Sequence, residues 1–204
     1  MIANNEKPRW PFYLLWILLT MLCVPIAFFL NLIILRIITH FVGDFIYVNG
    51  VQHITEDYLA LYGFVPIMGV LTGVLQYALL RRYLPHMGWW VAATIGGWLL
   101  GAFLILVPGW LSPKNAVLSL DLAFLIMGLS IGGGQWLLLR HRLPRAGWWI
   151  GANVMGWGIL ALITVGNSIG QFGLFALGFL PACATALILA LLMNQVQATG
   201  SQGV

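Results

Sequence analysis

The sequence predicts an all-α, polytopic transmembrane helical bundle of about six spans, with a parallel, same-orientation repeat of a two-helix hairpin. Three observations predict it. Of the 204 residues, 61% are hydrophobic and only 7% are charged, whereas a soluble domain has about 25% charged residues. Most charges collect in short runs between long apolar segments, as burial in hydrocarbon requires. One phrase also occurs twice, QYALLRRYLPHMGWW at 76–90 and QWLLLRHRLPRAGWW at 135–149.

A spanning helix needs about 20 mostly apolar residues. Six segments qualify, at roughly 11–37, 60–80, 88–108, 119–139, 147–166 and 173–193, so residues 1–204 read as a single integral membrane domain. Lys7 and Arg9 precede an apolar run from Trp10 to Leu35. That run exceeds the ~7–15 residues of a signal-peptide core and reads as a retained signal anchor. Segment one is over-long and holds Pro25 and Asn31, which predicts a kink or a strong tilt. Pro66 and Pro181 are expected near the starts of segments two and six, where proline costs least.

With the N-terminus inside, the cytoplasmic side receives Lys7, Arg9, Arg81, Arg82, Arg140, Arg142 and Arg145, against Arg36 and Lys114 outside. Seven cations against two predict a bacterial inner-membrane, multipass protein with both termini cytoplasmic. The net charge of +4 predicts contact with anionic headgroups. Nucleic acid is excluded as a partner, because the basic residues sit in loops flush with the membrane.

Aligning 69–98 with 128–157 at a constant offset of 59 gives fourteen identities in thirty positions. They include Gln76/Gln135, Arg81/Arg140, Pro85/Pro144 and the GWW triplets at 88–90 and 147–149. Apolar bias does not place Gln, Arg, Pro and GWW in register, so the pattern reads as an internal duplication covering about 63–108 and 122–166. GFLP at 178–181 echoes GFVP at 63–66 and suggests half of a third copy.

Each repeated residue has an expected role. Arg81 and Arg140 end descending helices, and with Trp89, Trp90, Trp148 and Trp149 they read as interface anchors. Tyr77 and Trp136 stand four residues before the arginines, within cation–π reach. Gln76 and Gln135 lie about 7.5 Å inside the boundary, and Thr94 and Asn153 about 9 Å inside. These depths predict two interhelical clamps, Gln76 with Thr94 and Gln135 with Asn153. Small residues at spacing four (Gly69/Gly73, Gly128/Gly132, Ala93/Gly97/Gly101, Gly147/Gly151) predict close backbone approach. The Gly132–Gly134 triplet needs something packed against it, with a partner helix favoured over a lipid or cofactor tail. Trp98 and Trp157, about 15 Å deep, are expected inside the bundle.

Candidate chemistry is sparse. The external loop 41–58 carries HITED, and a helix there would put His53, Glu56 and Asp57 on one face, a weak metal candidate. The favoured reading is a helix start, with Thr55 as cap and the two acids at the positive end. Arg36 and Asp121 are paired if segments one and four are neighbours. Cys23 and Cys183 lack metal or redox spacing and read as buried free thiols. No carboxylate lies at mid-depth, which argues against proton-coupled transport and intramembrane proteolysis.

The Q-W-x-x-L-R and L-x-x-A-G-W-W pattern of 135–149 resembles multipass bacterial membrane proteins with repeated QWxxLR…LxxAGWW hairpins. The resemblance covers 69–157 and implies no activity. The expectation is a non-enzymatic accessory or scaffolding subunit of a membrane complex, in contact with other subunits. No metal or cofactor is expected, although a pigment or lipid fits the glycine faces and paired indoles. A small transporter or channel is the alternative, and an enzyme acting at HITED comes third.

Overall fold

Long runs of Leu, Ile, Met and Ala leave backbone amides no water to bond, and a helix satisfies them within the segment. The chain accordingly folds as six helices in a computed structural model that describes residues 8–48, 50–84, 87–111, 120–166 and 172–200. They are α1 (Trp10–Val42), α2 (Thr55–Leu80), α3 (Trp90–Leu111), α4 (Leu120–Leu139), α5 (Trp148–Gly166) and α6 (Phe172–Gly200). Four apolar stretches are long enough to cross a membrane: Trp10–Val42, Tyr58–Leu80, Leu122–Leu139 and Ala176–Gln195. Those of α3 and α5, Trp90–Leu106 and Trp148–Ile163, are shorter. Lys7, Lys114, Pro85 and the side chains of Asp57 and Asp121 lie outside the described residues.

Each helix packs on its neighbours in sequence, and α6 returns against α1, so the six form a closed ring. Two apolar clusters fill its interior. One, at the end carrying Arg81 and Arg140, gathers Trp16, Leu80, Trp90, Leu139, Trp149 and Leu189. The other, further along the axis, gathers Cys23, Val24, Met68, Trp98, Ile131 and Trp157. Cys23 is buried, Cys183 half-buried, and both are free.

Four of the helices, α1, α2, α3 and α6, begin or end beyond the expected bounds. α1 runs unbroken through Pro25 to Val42. Pro66 and Pro181 lie in helix interiors rather than near the starts: α2 begins five residues early, and Pro181 stands nine residues into α6. Glycine makes room for one of them: a Cβ on Gly156 would stand 2.6 Å from Pro181 Cα.

The loop expected at 41–58 contains an antiparallel hairpin, β1 (Phe45–Val48) and β2 (Val51–Ile54), in the register Phe45↔Ile54 to Val48↔Val51. Gly50 takes φ +79°, a left-handed conformation that glycine adopts without a Cβ clash. His53 therefore sits on a strand, and the shared helical face with Glu56 and Asp57 does not form. Thr55 is not the cap either. It is the first residue of α2, fully buried, and its Oγ1 donates to Gly43 O at 2.8 Å, tying the hairpin's two ends together. Thr55→Val is expected to cost about 1 kcal/mol, read as faster amide exchange in 45–54 with the interior of α2 unchanged. Arg36 pairs with Glu56 at 3.5 Å, since α1 packs on α2 and α6 rather than α4. Both side chains are exposed, and such a pair adds little.

Candidate functional site: a polar ring on the bundle axis

Between the two apolar clusters every helix turns a polar side chain inward: Thr20, Gln76, Thr94, Gln135, Asn153 and Thr185, in the order α1 to α6. They surround a cavity of about 40 Å³, lined also by Thr72, Trp98 and Trp157. Gln76, Thr94, Gln135, Asn153 and Thr185 are buried, and Thr20 is half-buried.

Gln135 is the hub. Its Nε2 donates to Gln76 Oε1 at 3.1 Å and to Thr94 Oγ1 at 3.0 Å, and its Oε1 accepts from Trp149 Nε1 at 2.9 Å. Gln76 Oε1 also accepts from Trp90 Nε1 at 3.4 Å, and Gln76 Nε2 reaches Thr20 Oγ1 at 3.5 Å. Thr94 and Asn153 each bond back to their own helix, at Trp90 O and Trp149 O. The expected pairing of Gln76 with Thr94 and Gln135 with Asn153 is therefore corrected. All four face the axis, but Gln135 bonds to Thr94 of the preceding hairpin, because ring closure brings α3 against α4 as well as α2.

The paired tryptophans separate into two roles. Trp89 and Trp148 are 76% and 63% exposed, whereas Trp90 and Trp149 are fully buried. Trp90 and Trp149 are thus core residues rather than interface anchors, because successive helical positions turn by about 100°. Trp149→Phe is expected to cost about 1–2 kcal/mol by leaving Gln135 Oε1 without its donor, and Trp148→Phe under about 0.5 kcal/mol. Unfolding in mixed micelles compares them.

The same contact occurs a third time, in residues the sequence did not single out. Trp16, also fully buried, donates Nε1 to Thr185 Oγ1 at 3.1 Å. Trp90 bonds to Gln76, Trp149 to Gln135 and Trp16 to Thr185, each from one helix to the next around the ring. The three indoles meet edge to face at 5.9 Å (Trp90–Trp149) and 6.1 Å (Trp16–Trp149). Comparison with protein-family models, curated proteins and solved structures returned no match for this chain.

The ring is neutral. The residues lining the cavity are amides, hydroxyls, indoles and aliphatics, and none titrates near neutrality. The ring can exchange hydrogen bonds but offers no general base to a threonine hydroxyl. Among the described residues no three His, Cys, Asp or Glu side chains come together.

The glycines also divide. Gly132 packs on α5, with Ile150 Cα 3.2 Å from a built Cβ, and Gly134 packs on α3, with Ala93 O at 2.7 Å. Gly133 between them meets nothing. With Gly96 it lines an outward groove of about 620 Å³ between α3 and α4. Gly147 and Gly151 also meet nothing within 4 Å, so the expected close approach there is absent. At the surface Arg140 lies over the Trp136 ring at 5.3 Å, while Arg81 is exposed.

Proposed function

We propose that this chain is a six-span, multipass protein of the bacterial inner membrane, with both termini cytoplasmic, acting without catalysis as a scaffolding or accessory subunit of a membrane complex. The observation that carries the reading is the contrast between an interior filled by apolar clusters and a flank that carries a wide groove. Apolar clusters pack on both sides of the polar ring, and the α3–α4 flank carries a glycine-lined groove of about 620 Å³. A polar ring whose members bond across helices, to one another and to the buried tryptophans, works as interhelical glue, and a glycine-lined flank suits a neighbouring helix or a lipid tail. Anionic headgroups meet the arginine end.

The bundle reads as three parallel hairpins around one axis: α2–α3, α4–α5, and α6 with α1. The tryptophan contacts support a third unit split between the chain's two ends. They put Gly178 with Gly69 and Gly128, a register different from the GFLP echo. A Cβ on Gly178 would meet Val24, as those on Gly69 and Gly128 would meet Trp98 and Trp157.

The second reading, a small transporter or channel, draws on one observation, that all six helices contribute a polar side chain to the cavity. Extraction from native membranes in mild detergent separates the two. A stable complex with other subunits is the expected result. A homogeneous oligomer of this chain alone that passes solute across liposomes would overturn the scaffolding reading.

A further inference from the structure

We propose that the axial cavity is an internal hydration site, holding ordered water between Asn153, Trp98 and Trp157. The inference goes beyond the scaffolding reading, which needs no water inside the ring. It begins with polar atoms that the protein leaves unpaired. Asn153 commits its Nδ2 to Trp149 O at 3.0 Å, and its Oδ1 receives no donor among the described residues. The indoles of Trp98 and Trp157 meet edge to face at 5.5 Å, and neither N–H has an acceptor among the described residues. All three side chains are 3–5% exposed, and all three line the cavity.

These atoms differ from Asn31 Oδ1, the one buried side-chain atom among the described residues that is both sealed from water and unpaired. Not being sealed, they open on space that a water can occupy. A donor or acceptor left dry at this depth costs several kcal/mol. The cavity's 40 Å³ exceeds the ~10–15 Å³ that a single water requires. A buried water also needs about two to four polar partners. The threonine hydroxyls of Thr20 and Thr72 supply more, and the long 3.5 Å contact from Gln76 Nε2 to Thr20 is one a water can bridge. An apolar cavity of this size stays empty, but this one is ringed by six neutral polar side chains.

The test is water-to-indole magnetisation transfer on protein with ¹⁵N-labelled tryptophan in lipid nanodiscs, each indole assigned by its Trp→Phe variant. Cross-peaks to bound water are expected at Trp98 and Trp157, and none at Trp149, which donates to Gln135. Asn153→Leu, which fills the cavity, is expected to remove both cross-peaks while the Trp149 indole resonance persists. Dry Trp98 and Trp157 indoles in wild-type protein that shows the Trp149 resonance would overturn the proposal. So would cross-peaks that survive unchanged in folded Asn153→Leu. Should that variant not fold, Thr72→Leu fills the same cavity, and the wild-type spectrum already decides. Neither result depends on whether other subunits co-purify.

Discussion

Gln135→Leu is expected to destabilise the bundle by about 2–4 kcal/mol, more than any other substitution in the ring. Three bonds are lost together, to Gln76, Thr94 and Trp149, and an interhelical bond inside a membrane contributes about 0.6–2 kcal/mol. Leucine matches the volume but leaves the buried Trp149 N–H without an acceptor. Gln76→Leu is expected to cost less, because its bonds to Trp90 and Thr20 are long, at 3.4 and 3.5 Å. The double variant is expected to be milder than the sum, since the two share a bond. Reversible unfolding in mixed micelles measures all three. A Gln135→Leu protein within about 0.5 kcal/mol of wild type would show that the ring is not a lock.

The sequence made the helices legible because in hydrocarbon apolar length is nearly the whole signal, and α4 and α5 differ from the expected segments by a residue. It also made Gln76, Thr94, Gln135 and Asn153 legible as inward-facing groups, because a polar side chain at that depth turns to the bundle rather than to lipid. Their partners were not legible, because depth places a residue along the axis but not around it. The hairpin at 45–54 did carry a signal: Asn-Gly between FIYV and VQHI is a two-residue turn between short alternating strands. The helical spacing of His53, Glu56 and Asp57 competes with that signal. Trp16 with Thr20 was legible too, since Trp90 with Thr94 and Trp149 with Asn153 have the same spacing of four. A unit whose two helices stand far apart in the sequence does not recur at one constant offset.

Adjacent glycines in α3 are expected to respond to alanine with opposite signs. A Cβ on Gly97 would stand 2.7 Å from Ile131 Cα and 2.9 Å from Ser130 O. Both are backbone atoms of α4, which cannot rotate away, so the helices must separate. Gly97→Ala is expected to cost about 1–3 kcal/mol, outweighing the roughly 1 kcal/mol of helix propensity that alanine gains over glycine. Gly156→Ala is expected to behave likewise against Pro181. Gly96 meets nothing within 4 Å, so Gly96→Ala keeps the propensity gain and stabilises by up to about 1 kcal/mol. Equal effects at 96 and 97 would mean that α3 and α4 are not in backbone contact. The pair also bears on function. Gly96 lines the open groove, so a methyl there leaves the isolated bundle intact but occupies space a neighbouring subunit would need. Gly96→Ala is therefore expected to raise stability in detergent while weakening co-purification from native membranes. A Gly96→Ala protein that stays fully assembled would place the partner surface elsewhere on the bundle.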